Sequence, residues 1–146
     1  MELKRLFPAC AAVSLIVVSV LAACGGGSED RLTKEEFLTQ GNAICSSGDE
    51  KIGAAAESTF GSSEPTQEEI GAFASETIVP TIQDEIDQLR DLSPPKEDED
   101  QVNAMLDEAQ SALDNLKANP ELATQGGGFE EANRLAKDYG LTACAD

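Results

Sequence analysis

Apolar residues recur every three or four positions along most of the chain after residue 33, and this spacing predicts α-helices rather than strands. Thr33 and Thr66 each begin an S/T-x-x-E sequence, the pattern of a capping box, which places helix starts near Lys34 and just after Thr66. Prolines and glycine runs separate the periodic segments. The pattern therefore predicts an all-α fold, a small antiparallel bundle of about four helices.

The first predicted helix has one face of apolar and very small residues. They are Leu38, Gly41, Cys45, Gly48, Ile52 and Ala55. The two glycines would let another helix approach closely. Each glycine also weakens a helix by up to about 1 kcal/mol relative to alanine, so a break near residues 46–48 is the alternative.

The second predicted helix carries a proline in its interior. Its apolar face consists of Ile70, Phe73, Ile78, Ile82, Ile86 and Leu89. Because Pro80 removes a backbone donor and clashes with the preceding turn, we expect this helix to be kinked or broken near Pro80. A distortion that opens a pocket is one interpretation. A bent core helix is the other, and it is favoured because kinks at proline are ordinary.

Two further helices are predicted after the prolines at positions 94 and 95. The third has the most regular apolar face, formed by Val102, Met105, Leu106, Ala109, Leu113 and Leu116, and it should end near Asn119. A loose, flexible stretch through glycines 126–128 should lead to a short final helix from Phe129 to Tyr139. Gly140 suits the left-handed cap after it, and Leu141 can fold back in a Schellman motif.

The amino-terminal segment predicts export from the cytoplasm. Lys4 and Arg5 precede fifteen uncharged, mostly apolar residues at 9–23, as in a signal peptide. The run ends in Leu21, Ala22, Ala23 and Cys24, followed by Gly-Gly-Gly-Ser. These residues resemble the lipobox of bacterial lipoproteins, and the resemblance implies cleavage before Cys24 and transfer of diacylglycerol to its sulfur. The alternative is an ordinary secretory signal that leaves Cys24 as a free thiol.

This interpretation divides the chain into three parts. Residues 1–23 are the expected signal peptide, residues 24–32 the lipidated cysteine and a flexible tether, and residues 33–146 the helical domain. The lipid on Cys24 would hold the protein on the extracytoplasmic face of the cell membrane without spanning it. The membrane is therefore one expected partner, through the anchor, and an envelope protein is a second candidate partner.

The cysteines predict one disulfide. Cys10 would leave with the signal peptide and Cys24 would carry lipid, so Cys45 and Cys144 remain as a pair in a compartment where disulfides persist. The alternative is a pair of thiols in redox chemistry or metal binding. The absence of a C-x-x-C spacing and of histidine disfavours it.

Composition narrows the function classes. The chain has 146 residues, with 10 Lys and Arg against 28 Asp and Glu, a formal charge of -18, and no histidine. Nucleic acid is excluded as a partner, because binding it requires basic residues that neutralise phosphates. Without histidine the chain lacks the commonest metal ligand and the usual general base, so Ser-His and Cys-His hydrolases are excluded as well.

The abundant carboxylates do not predict a metal or catalytic site. The densest run, Glu97, Asp98, Glu99 and Asp100, lacks the D-x-D-x-D-G spacing of a calcium loop and falls on the first turn of the third predicted helix, where acids favour the helix dipole. Acids at positions 84, 85, 87 and 91 should form a solvated face. No acid stands in an apolar context that would raise its pKa. We therefore expect no metal, no cofactor and no enzymatic activity.

The part of the chain that is expected to be exported also carries several short sequence features in a fixed order. These are the segment from Phe37 to Cys45, the segment from Pro80 to Leu92 followed by Pro94 and Pro95, and a final Tyr139, Gly140 and Leu141 before Cys144. This series resembles a family of small secreted or lipid-anchored actinobacterial proteins. The resemblance implies the helical fold, the disulfide and the location, and it brings no activity with it.

Two functional hypotheses follow from the sequence. The first is a cell-surface lipoprotein that acts as a non-catalytic helical binding or protein-interaction module. The second is a small-ligand-binding sensor or carrier in the cell envelope, with an apolar compound held where Pro80 distorts the second helix.

Overall fold

A computed structural model describes residues 31–145, and in this range the chain forms five α-helices and no β-strand. The helices are α1 (Lys34–Phe60), α2 (Gln67–Phe73), α3 (Val79–Asp91), α4 (Glu99–Ala118) and α5 (Glu130–Tyr139). A π-helical segment, Ala74–Ile78, joins α2 to α3, and short 3-10 helices span Lys96–Asp98, Pro120–Gln125 and Thr142–Ala145. The predicted all-α fold is confirmed.

Neighbouring long helices of the bundle run antiparallel. Gly41 of α1 lies against Leu89 of α3, and Gly48 lies against Glu85, so residue numbers rise along one helix as they fall along the other. Pairs between α3 and α4 show the same reversal, because Arg90 bonds Asp107 at 2.9 Å and Lys117 bonds Gln83 at 2.7 Å. α4 in turn packs against α5, which completes the predicted bundle.

Both predicted capping boxes are present. The Thr33 hydroxyl accepts a hydrogen bond from the Glu36 amide at 3.3 Å, and the Thr33 amide donates to the Glu36 carboxylate at 2.9 Å. Thr66 and Glu69 repeat this arrangement at the start of α2. The hydrogen bonds to the ionised form lower the pKa of both Glu36 and Glu69. α1 continues without a break to Phe60, so the alternative break near residues 46–48 is wrong.

The core lies between α1, α3, α4 and α5. Its main cluster contains Phe37, Cys45, Leu89, Val102, Met105, Leu106, Ala136, Tyr139 and Leu141. The predicted apolar face of α1 is corrected at its start: Phe37 is fully buried, whereas Leu38 is only half-buried. The ring of Phe37 meets the ring of Tyr139 edge to face, with centroids 5.9 Å apart, and this contact selects the orientation of the helix.

The carboxyl-terminal segment is fixed to α1. Cys45 and Cys144 form the predicted disulfide, with their Cα atoms 5.1 Å apart. The predicted Schellman motif is also present, because the amide of Leu141 donates to the carbonyl of Ala136 at 2.9 Å and Gly140 has a φ of 113°. The Asn42 side chain accepts a hydrogen bond from the Ala143 amide at 2.8 Å. These contacts hold residues 141–144 against α1.

Residues 31–145 contain this core cluster and both cysteines of the disulfide. This range therefore holds one hydrophobic core and its covalent cross-link, the features expected of an independently folding domain. Within this range, none of the helices combines the length and the apolar character needed to cross a bilayer.

Candidate functional site

The helical distortion predicted near Pro80 is the π-helical segment. The amide of Val79 donates to the carbonyl of Ala74, five residues back, rather than to the residue four back. A wider turn at this point relieves the clash of the Pro80 ring with the preceding carbonyls. Pro80 itself is exposed. Single π turns inside helices are frequent at functional sites, which draws attention to the surroundings of this segment.

An apolar cavity of about 310 Å³ begins at the π-helical segment and lies between α1, α3, α4 and α5. Its volume is at the lower end of the range for small-molecule sites, roughly 300 to 1,000 Å³. The apolar wall includes Ile52, Ile78, Ile82, Ile86, Met105 and Phe129. The disulfide also lies in this wall. The less favoured interpretation, a pocket beside the distorted helix, therefore agrees with the structure, and Pro80 itself is not among the lining residues.

The three consecutive glycines form an ordered turn at one side of the cavity. Gly126, Gly127 and Gly128 all have positive φ angles, 92°, 73° and 83°, and the amide of Gly127 donates to the carbonyl of Leu122 at 2.9 Å. A β-carbon on Gly127 would lie 3.0 Å from the Phe129 ring. This left-handed turn leads directly to Phe129, which lies in the cavity wall.

Glu85 of α3 is the main polar feature of the cavity. One of its carboxyl oxygens, Oε1, is buried and has no hydrogen-bond partner among the described residues. The carboxyl group lies over Gly48 of α1, where a β-carbon would come within 1.4 Å of Oε1. Only glycine leaves room for the carboxyl in this position.

The surroundings of Glu85 shift its ionisation strongly. Burial raises the pKa of Glu85 to about 7, and the negative charges of Asp49 and Asp84 act in the same direction. The positive charge of Lys51 lowers the pKa of Glu85 but does not cancel these effects. The expectation that no acid stands in an apolar context is wrong for Glu85.

The predicted solvated face of α3 is confirmed at Asp84, Asp87 and Asp91, which are exposed. Glu85 departs from it because it follows Ile82 by three residues and precedes Leu89 by four, at the edge of the apolar face. That spacing is the feature of the sequence that indicates partial burial of Glu85.

The chemistry of the wall suits binding better than covalent catalysis. Among the described residues that line the cavity, the only charged ones are Asp49 and Glu85, and the only other polar side chain is that of Asn133. Both cysteines of the wall are held in the disulfide. No serine, threonine, lysine or tyrosine of residues 31–145 lines this cavity. Glu85 could exchange a proton with a bound molecule.

A second polar cluster lies at the start of α4. The Tyr139 hydroxyl donates to Asp98 at 3.0 Å, and the Lys34 ammonium lies 3.3 Å from the same carboxylate and 4.2 Å from the centre of the Tyr139 ring. Burial and the neighbouring carboxylate raise the pKa of Tyr139. Glu99 pairs with Arg31 at 3.1 Å. Two acids of the run at 97–100 therefore bind basic residues and join α1, α4 and α5.

In residues 31–145, no group of three or more acids or cysteines is arranged to hold a metal ion.

The ionisation of Glu85 predicts a pH-dependent stability. Because its pKa in the folded chain lies above the ordinary value of 4.5, folding favours the protonated form. This contribution is fully present below about pH 4.5 and is lost as the pH rises through about 7. Glu85→Gln should therefore be more stable than the wild type at about pH 8, by about 1 kcal/mol after solvent screening, and the gain should vanish at about pH 4.

Urea unfolding of residues 25–146 at both pH values measures this difference. Asp87→Asn is the matched control, since Asp87 is an exposed acid of the same helix that does not line the cavity. A stability difference between wild type and Glu85→Gln that is the same at both pH values would contradict a raised pKa of Glu85.

Comparisons of the chain with protein-family models, curated protein sequences and solved structures found no match. The site therefore has to be interpreted from its own residues. Of the residues singled out in the sequence, Cys45 and Cys144 come together in the cavity wall. Cys24, the signal segment and most of the tether lie outside the described residues.

Proposed function

We propose that this protein is a lipid-anchored, non-catalytic binding protein on the extracytoplasmic face of a bacterial cell membrane, and that its bundle holds a small apolar ligand. The observation that carries the proposal is the apolar cavity beside the π-helical segment. The lipobox-like sequence ending in Cys24 supports the anchor, and the following Gly-Gly-Gly-Ser supports a flexible tether. Binding to an envelope protein is the alternative role of the same module.

The small size of the domain bears on whether the cavity is a binding site. A chain of this length buries only one modest hydrophobic core, so apolar volume left unfilled within it costs packing energy. The cavity is bordered by a π turn and by a left-handed glycine turn. Two unusual backbone features around one cavity favour a binding role over imperfect packing.

Filling the cavity tests the binding function. Ala109 of α4 lines the cavity, and Ala104 lies on the exposed side of the same helix. We expect residues 25–146 to bind the neutral fluorescent compound phenylnaphthylamine saturably, and we expect Ala109→Phe to weaken that binding at least about tenfold. Ala104→Phe, the matched control, should bind like the wild type. Equal binding by Ala109→Phe and the wild type, or no binding by either, would overturn the proposed site.

Fatty-acid labelling tests the anchor. Cells that express the full chain are fed an alkyne fatty acid, and the protein is then recovered and examined for the label. We expect the wild type to be labelled and membrane-bound and Cys24→Ala to carry no label, because the two or more acyl chains of a lipoprotein are what hold such a domain on a bilayer. Unlabelled wild type, or equal labelling of Cys24→Ala, would contradict the lipid anchor.

A further inference from the structure

The charged side chains of the cavity wall all have the same sign. Asp49 of α1 and Glu85 of α3 are both acidic, and none of the described wall residues is basic. Asp84 lies close enough to Glu85 to act on its ionisation, and Lys51 is the cation that acts on it from α1. Among the described residues that act on the ionisation of Glu85, two are acidic and one is basic, in a chain whose formal charge is -18. A field of this sign attracts a cation and repels an anion.

The Glu85 carboxyl also lacks the hydrogen bond that a buried acceptor needs. Its Oε1 atom is buried without a partner among the described residues, and such an unsatisfied group costs about 1 to 3 kcal/mol. The torsion that turns a glutamate carboxyl is broad, so the group can present either oxygen to the cavity without moving α3. The oxygen that is turned toward the cavity would accept a hydrogen bond from a donor on a bound molecule.

We propose that the cavity binds a small apolar molecule that carries one cationic amino group, and that the Glu85 carboxylate accepts hydrogen bonds from that group. The proposal rests on the binding function proposed above and specifies the chemistry of its ligand. The apolar body of the molecule would pack on the isoleucines of α3 and on Met105 and Phe129. A charge-assisted hydrogen bond of this kind is shorter and stronger than one between neutral groups.

Three naphthalene compounds of similar size test the proposal: naphthylmethylamine, naphthylmethanol and naphthylacetate. Calorimetry with residues 25–146 at about pH 8 and low salt measures their affinities. We expect the amine to bind about tenfold or more tightly than the alcohol and the carboxylate to bind more weakly than both. Glu85→Gln should reduce the affinity for the amine about tenfold and leave the affinity for the alcohol unchanged.

Asp84→Asn is the matched control, because it removes the same charge from the adjacent position outside the cavity. It should retain most of the affinity for the amine. Equal affinities for amine and alcohol, or an equal loss of amine affinity in Asp84→Asn and Glu85→Gln, would overturn the role of Glu85 while the binding function stands. Absence of binding by both amine and alcohol would overturn the binding function itself. Circular dichroism of each variant checks that the helical fold is retained.

Discussion

Replacing both Cys45 and Cys144 by alanine is expected to lower the free energy of unfolding by about 4 kcal/mol. The disulfide joins residues 99 positions apart, so it restricts the unfolded chain over almost the whole described domain. Small domains have total stabilities of about 5 to 15 kcal/mol, and the loss would therefore leave a marginal fold. The effect should be visible as a large shift in the urea midpoint of residues 25–146.

Reduction of the wild type provides the control for this variant. A reducing agent should lower the wild-type midpoint to nearly that of the double variant, and it should not change the midpoint of the double variant. The account would be contradicted if the double variant and the oxidised wild type unfolded at the same urea concentration.

Phe37→Ala is expected to cost about 3 to 5 kcal/mol, the range for removing a fully buried phenylalanine. Phe37 is 0% exposed, and its ring contacts that of Tyr139 across the interface of α1 and α5. Its loss would leave a cavity in the core next to the segment that carries Cys144. Urea unfolding measures the change directly.

Phe60→Ala is the matched control, because it makes the same change at the other end of α1. Phe60 is only half-buried and meets Phe73 with ring centroids 5.1 Å apart. We expect a distinctly smaller loss of stability there. Equal losses in the two variants would show that the core is not centred on Phe37 and Tyr139.

Local sequence patterns predicted the helices and their ends well. The capping boxes at Thr33 and Thr66, the apolar face of α4 and the left-handed cap at Gly140 each depend on residues close together in the chain. The burial of Phe37 in place of Leu38 could not be predicted in this way. Both are apolar and adjacent on α1, and the contact with Tyr139, over 100 positions away, decides between them.

The site was only partly predictable, for a physical reason. Pro80 indicated a distortion of the second helix, but the π turn that resolves it shifts the register of the side chains that follow. The environment of Glu85 depends on Gly48 of another helix, because a larger residue there would push the carboxyl out. A helix-face argument places Glu85 only at the edge of the apolar face, whereas packing between α1 and α3 buries one of its oxygens.

The central claim is that the cavity beside the π-helical segment is the binding site, and isoleucine methyl NMR tests it most directly. Residues 25–146 are labelled at isoleucine methyls and titrated with naphthylmethylamine. Ile52, Ile78, Ile82 and Ile86 line the cavity, whereas Ile44 and Ile70 do not. We predict saturable shifts and contacts with the ligand at the four cavity isoleucines and little change at the other two. No saturable shifts, or shifts of equal size at Ile44 and Ile70, would contradict the claim.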